Sequence, residues 1–353
     1  MACKFISNED TNLWLEALAK DHVVFVPVDD GGSVTFRPFA EGRKPVLDRM
    51  PVRSPKEAVF PQSETLLTYK YDKDPENPDR TSVRIKETLP KERAVVFGAR
   101  PCGTRGMTIF DSVFDNERIR DPYYATRREN TLYVTVACHK VESTCFCHEV
   151  GSGPADTAGS DVLLTPVQGG YAAEAVTERG EKMLEAGFFA DGGDKCAEAE
   201  EVKKATREML GEAHDYSDAP EKLLAVFDDD EFWEEQAAAC LSCGACTYLC
   251  PTCYCFNITD EATGTTGKRV RTWDTCMNFQ YTLEGSGHNP RSTKAKRLKN
   301  RVNHKFAYFP DTYEQRLACC GCGRCIKSCP AAVDIRSIVK AAQARVAAKK
   351  EAS

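Results

Sequence analysis

Two cysteine runs decide the fold of the C-terminal part of the chain: CLSCGACTYLCP at Cys240–Pro251 and CCGCGRCIKSCP at Cys319–Pro330. Both follow the spacing C-x2-C-x2-C-x3-C-P, which is typical of bacterial ferredoxins with two iron-sulfur clusters. Three closely spaced thiolates can surround one cubane, while the fourth cysteine of each run ligates the other cluster. The trailing proline ends the helix that would otherwise continue after the fourth ligand. The spacing therefore predicts a dicluster domain that transfers electrons.

The crossed ligand pattern assigns eight cysteines to two [4Fe-4S] clusters. We name them cluster I, with Cys240, Cys243, Cys246 and Cys329, and cluster II, with Cys319, Cys322, Cys325 and Cys250. A zinc knuckle is the alternative for a single run, because zinc also takes four thiolates. Two runs that share the trailing proline favour the iron-sulfur interpretation.

Length and composition are consistent with a metal-rich protein of two or three domains. The 353 residues include 18 cysteines, and the first residues, MACKFISNED, carry neither a basic nor an apolar leader pattern. No stretch of about 18 apolar residues occurs, so we expect no membrane span. We expect a cytoplasmic protein, in which dense cysteine indicates metal rather than disulfides. Cys3 and Cys196 stand alone and are interpreted as structural.

The first half of the chain alternates helix and strand patterns, as α/β domains do. AVVFGA at 94–99 is a buried-strand pattern, the segment 100–114 is amphipathic, and TLYVTVA at 131–137 is a second strand. This order predicts a parallel βαβ unit, in which the carboxyl ends of both strands meet at one edge. Because Cys102 and Cys138 follow those two ends, we expect them to lie close together.

The run TCFC at 144–147 brings further thiols to the same edge. We predict a third cluster there, the N-terminal cluster, with Cys102, Cys138, Cys145 and Cys147 as ligands. Their spacing is not a standard knuckle, and small buried cysteines that only pack against each other are the alternative. His139 and His148 flank the site and are possible substitute ligands.

The predicted organisation is an α/β domain with the N-terminal cluster at 1–232, a mostly α dicluster ferredoxin-like domain at 233–340, and a tail at 341–353. Cys253, Cys255 and Cys276 lie between the runs, and whether they bind a further centre stays open. The chain has no dinucleotide fingerprint and no phosphate loop. We therefore expect no flavin or nicotinamide site of its own.

Charge is distributed unevenly around the net value of −6. The segment 174–235 carries 20 acidic against 7 basic residues, whereas 285–310 carries 7 basic residues and no acid. Basic side chains near clusters could raise their reduction potentials or dock an acidic partner. Candidates for these two roles are Arg291, Lys294, Arg297, Arg301 and Lys305. Nucleic-acid binding is a further interpretation, but no interleaved aromatics or known binding fold support it, and we expect no nucleic-acid partner.

Several segments outside the runs resemble one family of iron-sulfur subunits. In chain order they are RPCGTRG, DPYYATRREN, TCFC, PTCYCF, RTWDTCM, GHNPR and HKFAYFP, and with the runs they cover 51–338. The family groups the beta subunit of cytoplasmic sulfhydrogenase with the iron-sulfur subunits of two other enzymes: anaerobic sulfite reductase, and the flavin oxidoreductase that serves heterodisulfide reductase. Gly103 departs from the family, where an acidic residue is expected.

The resemblance implies a non-catalytic electron relay in an anaerobic multi-subunit oxidoreductase. Its partners would be a subunit with FAD and a [2Fe-2S] cluster that handles NAD(P)H, and a catalytic subunit of the hydrogenase, sulfite reductase or heterodisulfide reductase type. The alternative is a catalytic subunit that reduces sulfur or thiol substrates at the N-terminal cluster. That alternative requires an iron with an open coordination position.

Overall fold

The computed structural model describes residues 3–40, 42–77, 79–313 and 316–351. Residues 350 and 351 are described by their backbone alone. Twelve strands form an eight-stranded mixed sheet and a four-stranded antiparallel sheet. The strands are β1 (Lys4–Ser7), β2 (Val23–Asp30), β3 (Ser33–Pro38), β4 (Ser63–Lys73), β5 (Thr81–Glu87), β6 (Ala94–Ala99), β7 (Thr131–Val136), β8 (Val162–Val167), β9 (Gly170–Ala175), β10 (Ala190–Asp191), β11 (Phe256–Thr263) and β12 (Thr266–Trp273).

Twelve α-helices surround the sheets in the described part of the chain. They are α1 (Asn8–Leu18), α2 (Pro101–Phe114), α3 (Pro122–Asn130), α4 (Glu178–Leu184), α5 (Asp194–Glu208), α6 (Ala219–Ala225), α7 (Asp230–Ala237), α8 (Ala245–Tyr248), α9 (Lys294–Asn303), α10 (Phe309–Thr312), α11 (Arg324–Lys327) and α12 (Ile335–Glu351). Short 3-10 helices lie at Pro55–Ala58, Cys147–Val150 and Phe279–Thr282, and a π-helical turn at His304–Tyr308.

The eight-stranded sheet has the order β10-β1-β9-β8-β7-β6-β2-β3. Its inner strands β2, β6, β7 and β8 run parallel, and antiparallel strands lie outside them on both sides. All six residues of β6 are buried, since helices cover both faces of the sheet. Val95 and Phe97 pack with Trp14 of α1 on one face, whereas Val96 packs with Phe110 of α2 on the other. Each such buried side chain contributes about 1.5–3 kcal/mol.

Helices α2 and α3 connect the parallel strands β6 and β7 and position the first two cysteines of interest. Pro101 occupies the first turn of α2, where its missing N–H is not needed, so Cys102 lies in that turn just beyond β6. Cys138 follows β7 by two residues. Both cysteines are therefore located beyond the carboxyl ends of adjacent parallel strands.

The four-stranded sheet joins residues that are distant in sequence, in the order β11-β12-β4-β5. The hairpin β11–β12 lies between the two cysteine runs, and its strand β12 pairs antiparallel with β4 of the N-terminal half. The range 233–340 thus contains a hairpin as well as helices, so its structure is mixed. The division between 232 and 233 stays a prediction, although strands from both sides of it share this sheet.

The C-terminal helices enclose a second core next to the cysteine runs. Trp233 of α7, Leu298 of α9 and Val339 of α12 are buried there together with Phe306. Helix α12 continues from Ile335 across the predicted start of a tail at 341, and it packs against α6. The π-helical turn that follows α9 contains Lys305, whose side chain is buried. Single π-turns of this kind occur frequently at functional sites.

Cys3 and Cys196 form a disulfide, which differs from their interpretation as isolated residues. It joins the chain just before β1 to the first turn of α5. The two cysteines are 193 residues apart in sequence. The pairing could not be predicted, because no local pattern in the sequence relates them. In the described part of the chain, no helix has the length and apolarity needed to cross a membrane.

Candidate iron-sulfur sites

The two cysteine runs adopt matching conformations. In each run, a glycine with positive φ, Gly244 or Gly323, precedes a one-turn helix, α8 or α11, that carries the third cysteine. These two helices pack against each other. The sequence repeat is therefore also a structural repeat, and it brings the two sets of thiols to adjacent cavities.

The four cysteines assigned to cluster I line one narrow cavity, together with Arg301 and Met277. The backbone N–H of Ser242 donates to Cys240 Sγ at 3.4 Å, and that of Val333 donates to Cys329 Sγ at 3.3 Å. Backbone donors therefore point at two of the four sulfur atoms that would ligate iron. Cys243 is exposed, so this cavity lies at the protein surface.

The four cysteines assigned to cluster II line a second narrow cavity, which Cys250 enters from the other run. Thr252 donates its N–H to Cys250 Sγ at 3.4 Å, and Lys305 Nζ donates to Thr252 Oγ1 at 2.8 Å and to the Ala318 carbonyl at 3.1 Å. Burial lowers the pKa of Lys305, but the neighbouring cysteines Cys250, Cys253 and Cys319 outweigh burial, so that the lysine pKa is raised. The amino group of Lys305 therefore lies beside this cavity.

The four cysteines assigned to the N-terminal cluster lie close enough to influence one another's pKa values. Burial raises the pKa of the Cys147 thiol to about 12, and Cys138 and Cys145 contribute to this rise. Burial likewise raises the pKa of the Cys102 thiol. Cys138 adds to this rise, whereas the Arg324 guanidinium opposes it. Thiols of this kind stay protonated in an empty site and lose their protons when a metal binds.

The N-terminal site differs from the other two in its access to solvent. Cys138 and Cys145 line a cavity of about 530 Å³, to which Arg100, His139 and Lys140 also contribute. His139 Nδ1 and His148 Nδ1 are both buried without a hydrogen-bond partner in the described residues, and His148 Nε2 lies 3.3 Å from the Glu212 carbonyl. Of the two flanking histidines, His139 is the one that lines this cavity.

The TCFC loop packs directly on the backbone of the second cysteine run. The Phe146 N–H donates to the Gly321 carbonyl at 2.8 Å. A Cβ atom at Gly321 would lie 2.4 Å from Cys147 Cα, and one at Gly323 would lie 2.2 Å from the Thr144 carbonyl oxygen. Both glycines have positive φ, but the equivalent of Gly321 in the first run is Ser242. Glycine at position 321 is the sequence signal for this contact, which was not predicted.

Zinc coordination is not supported by the arrangement of the side chains. Across the residues that the structure describes, no group of three or more His, Cys, Asp or Glu side chains is arranged to hold a metal ion. A zinc ion at about 2.3 Å from each thiolate would need the sulfur atoms to lie within about 4 Å of one another. A four-iron cluster separates its thiolates more widely, which fits cavities lined by four cysteines.

The cysteines outside the three predicted ligand sets lie close to them. The Cys253 and Cys250 thiols are neighbours, as are those of Cys255 and Cys276, and Cys320 neighbours Cys322. Cys276 and Cys320 are buried.

The basic residues after 285 separate into buried and exposed groups. Arg297 donates to the carbonyls of Met277, Arg291 and Ser292, so its role is to hold loops together. Arg301 and Lys305 are buried among cysteines.

Lys294 is exposed and donates to the Ala238 carbonyl at 2.6 Å, and Arg291 is half-buried. Arg324 and Lys56 are among the further buried basic residues that were not predicted from the sequence. Lys56 Nζ donates to the Cys253 carbonyl at 2.9 Å and lies 4.2 Å from the centre of the Trp273 ring. Arg324 could have been found, because it lies between two ligands of the second run.

Similarity to known proteins supports an iron-sulfur function for the two cysteine runs. A family model described as a 4Fe-4S dicluster domain matches residues 239–333. Sulfhydrogenase 2 subunit beta of Pyrococcus furiosus is 31% identical over 248 residues, which are 68% of this chain and 71% of the relative. No solved structure matches the chain. The chain therefore belongs to the sulfhydrogenase beta subunit family, as an iron-sulfur subunit that transfers electrons.

Proposed function

We propose that this chain is the relay subunit of an anaerobic, cytoplasmic, multi-subunit oxidoreductase and that it carries three [4Fe-4S] clusters in the order N-terminal cluster, cluster II, cluster I. One observation carries the proposal: the three sites adjoin. Cys325 and Arg301 line the cavities of both cluster I and cluster II. Arg324 contacts Cys102 of the N-terminal site and lies beside Cys322 of cluster II.

Bound clusters would supply one-electron redox chemistry at each site. The chain itself contributes cysteine thiolates as ligands, backbone N–H donors to Cys240, Cys250 and Cys329, and buried cations that offset the negative charge. The burial of Cys250 and Cys322 keeps water away from the middle of the relay. The exposure of Cys243 supports cluster I as an end of the relay.

The partners follow from the family and from motifs that the sequence lacks. The relative is named as the beta subunit of a sulfhydrogenase, which supports membership in a larger complex. Because this chain has no dinucleotide fingerprint, we assign FAD and NAD(P)H to a partner that also carries a [2Fe-2S] cluster. The other partner is a catalytic subunit of the hydrogenase, sulfite reductase or heterodisulfide reductase type.

The number of clusters is testable on anaerobically purified protein. Iron and acid-labile sulfide should each amount to about twelve per chain if three cubanes are bound. About eight would eliminate the N-terminal cluster, and the variant Cys102→Ser should then leave the count unchanged.

The relay is tested by the variant Cys243→Ala in the complete complex. It should lose cluster I and electron flow to the catalytic partner, while the flavin of the other partner stays reducible. Physiological turnover at the wild-type rate in this variant would refute the relay.

One observation favours a second candidate function, reduction of sulfur or thiol compounds at the N-terminal cluster. The cavity of about 530 Å³ gives small molecules access to Cys138 and Cys145, and cationic Arg100 and Lys140 line it. Addition of polysulfide or a thiol to the reduced protein should then perturb the electron paramagnetic resonance (EPR) signal of this cluster. An unperturbed signal would count against this function and leave the relay intact.

A further inference from the structure

We propose that Arg301 and Arg324 each act as a positive charge shared by two neighbouring clusters, so that the reduction potentials along the relay are raised in overlapping pairs. Arg301 would serve cluster I and cluster II. Arg324 would serve the N-terminal cluster and cluster II. The inference rests on the proposed relay. It assigns to two residues of this chain an electrostatic role in setting the reduction potentials of the clusters.

Arg301 lies between the cavities of cluster I and cluster II. It lines both cavities and is only 3% exposed. Its neighbours include Cys246 of cluster I and Cys325 of cluster II. Its Nε is buried and has no hydrogen-bond partner in the described protein. This N–H is therefore available to an anionic group in the cavities.

Arg324 lies between the N-terminal site and the cluster II site. It is 3% exposed, and its Nε donates to the Pro51 carbonyl at 2.9 Å. One terminal nitrogen donates to Cys102 Sγ at 3.4 Å, and the thiolate of Cys322 is a further neighbour. The other terminal nitrogen is buried without a partner in the part of the chain that the structure describes. The guanidinium thus joins the N-terminal site to the cluster II site.

The energetics of burial indicate that these arginines need the clusters. Transfer of a cation from water into a protein interior is strongly unfavourable, and a buried N–H without a partner adds to that penalty. Among the described residues, neither arginine pairs with a carboxylate; Arg324 donates instead to the Pro51 carbonyl and to Cys102 Sγ. The anionic sulfur of the clusters and their ligands is therefore the compensating charge.

A shared cation acts on the potentials through the charge that reduction adds. A [4Fe-4S] cluster becomes more negative by one unit when it accepts an electron, so a nearby positive charge stabilises the reduced form and raises the potential. Because Arg301 and Arg324 each lie beside two sites, removal of either charge should lower two potentials and leave the third unchanged. Cluster II, in the middle, should respond to both.

Lys305 provides a matched control from the same buried region. Its Nζ has protein partners in Thr252 Oγ1 and the Ala318 carbonyl, and its neighbouring ligands, Cys250 and Cys319, both belong to cluster II. Loss of this charge should therefore affect cluster II alone. The exposed Lys294 provides a second control, and its variant Lys294→Gln should shift no cluster potential.

The test is an EPR-monitored redox titration of the full chain, purified anaerobically with its clusters. The variant Arg301→Gln should lower the potentials of clusters I and II, Arg324→Gln those of the N-terminal cluster and cluster II, and Lys305→Gln that of cluster II. We expect about a tenfold change in each reduction equilibrium, which is about 59 mV for one electron. The titration that disappears in Cys243→Ala identifies cluster I.

Iron content separates a lost cluster from a shifted potential. Each variant must bind as much iron as the wild type, and Arg301→Lys and Arg324→Lys should restore most of each shift. If a glutamine variant fails to retain iron, Arg301→Met or Arg324→Met provides a second neutral side chain of similar length.

Two results would overturn the proposal: unchanged potentials in neutral variants with full iron, or one equal shift of all three clusters. A count of about eight irons would remove the N-terminal cluster, and the paired response to Arg301→Gln would still decide the part that concerns clusters I and II.

Discussion

At the scale of single residues, Glu64 holds together segments from three parts of the chain. Its side chain is 3% exposed and pairs with Arg271 of β12 at 2.6 Å and with Arg127 of α3. Arg271 also pairs with Asp121, which caps α3. Because these charges are buried, removal of one partner leaves another without compensation.

The variant Glu64→Gln should therefore lower the free energy of unfolding by about 3 kcal/mol. Anaerobic chemical denaturation measures this change. The matched control is Asp260→Asn on the β11–β12 hairpin, whose solvent-exposed pair with Arg269 should contribute little to stability. Equal effects of the two variants would contradict the structural role assigned to Glu64.

His304 makes stability depend on pH. Burial, with Lys305 and Arg291 nearby, lowers its pKa from 6.5 to about 4, although Cys250 opposes the shift. The unfolded chain therefore binds the proton more readily between these values, and stability is lost as the pH falls through this range. Between pH 7 and pH 5 the loss should be about 2 kcal/mol.

The variant His304→Gln should remove this part of the pH dependence, as measured by denaturation at both pH values. Glutamine is neutral throughout the range and can still pair with the Tyr254 hydroxyl, which lies 2.9 Å from His304 Nε2. An identical pH dependence in wild type and His304→Gln would contradict the prediction.

At the scale of elements, the contact between the TCFC loop and the second cysteine run depends on glycine. The variant Gly323→Ala would introduce a Cβ atom at 2.2 Å from the Thr144 carbonyl oxygen, at a position with φ of +67°. The loop must then move away from the run. We expect a loss of iron toward about eight per chain, because the N-terminal ligands no longer converge.

A glycine at the tip of the β11–β12 hairpin provides a control that tests backbone strain without this contact. Gly264 also has positive φ, but a Cβ atom there would meet nothing within 4 Å. The variant Gly264→Ala should therefore lose only about 1–2 kcal/mol from the left-handed conformation and keep its full iron content. If Gly323→Ala also kept its iron, the contact would not be needed for the N-terminal site.

The β11–β12 hairpin is an element that was not predicted from the sequence. Its strands are joined by a two-residue loop that begins with Gly264, a combination typical of tight hairpins. Most of β11 is exposed, so it lacks the apolar alternation that marks a half-buried strand. The turn, rather than hydrophobic periodicity, was the available signal.

At the scale of the whole molecule, the predicted division at 232 and 233 is crossed by structural contacts. Strands β4 and β12 pair across it, Arg324 donates to Pro51, and Lys56 donates to Cys253. Separate unfolding of the two parts would break these buried interactions. We therefore expect the two parts to unfold together, in a single transition by anaerobic scanning calorimetry. Two resolved transitions would indicate independent domains.

The sequence by itself determined the class of this protein, an iron-sulfur subunit that transfers electrons. The spacing of cysteines within each run is local, so it indicates [4Fe-4S] ligation without any knowledge of the fold. The order of β6, α2 and β7 also predicted that Cys102 and Cys138 are neighbours, because a parallel crossover has one dominant geometry. The ligation itself remains a prediction for all three sites.

Only the tertiary structure decided what the other residues do. Lys294 and Arg301 occur in the same basic stretch, but one is exposed and the other lies between two cavities, because α9 turns different sides toward solvent and core. The pairing of Cys3 with Cys196 and the packing of Gly323 on Thr144 likewise join residues far apart in sequence. Such contacts depend on how distant segments pack, and no local pattern records that.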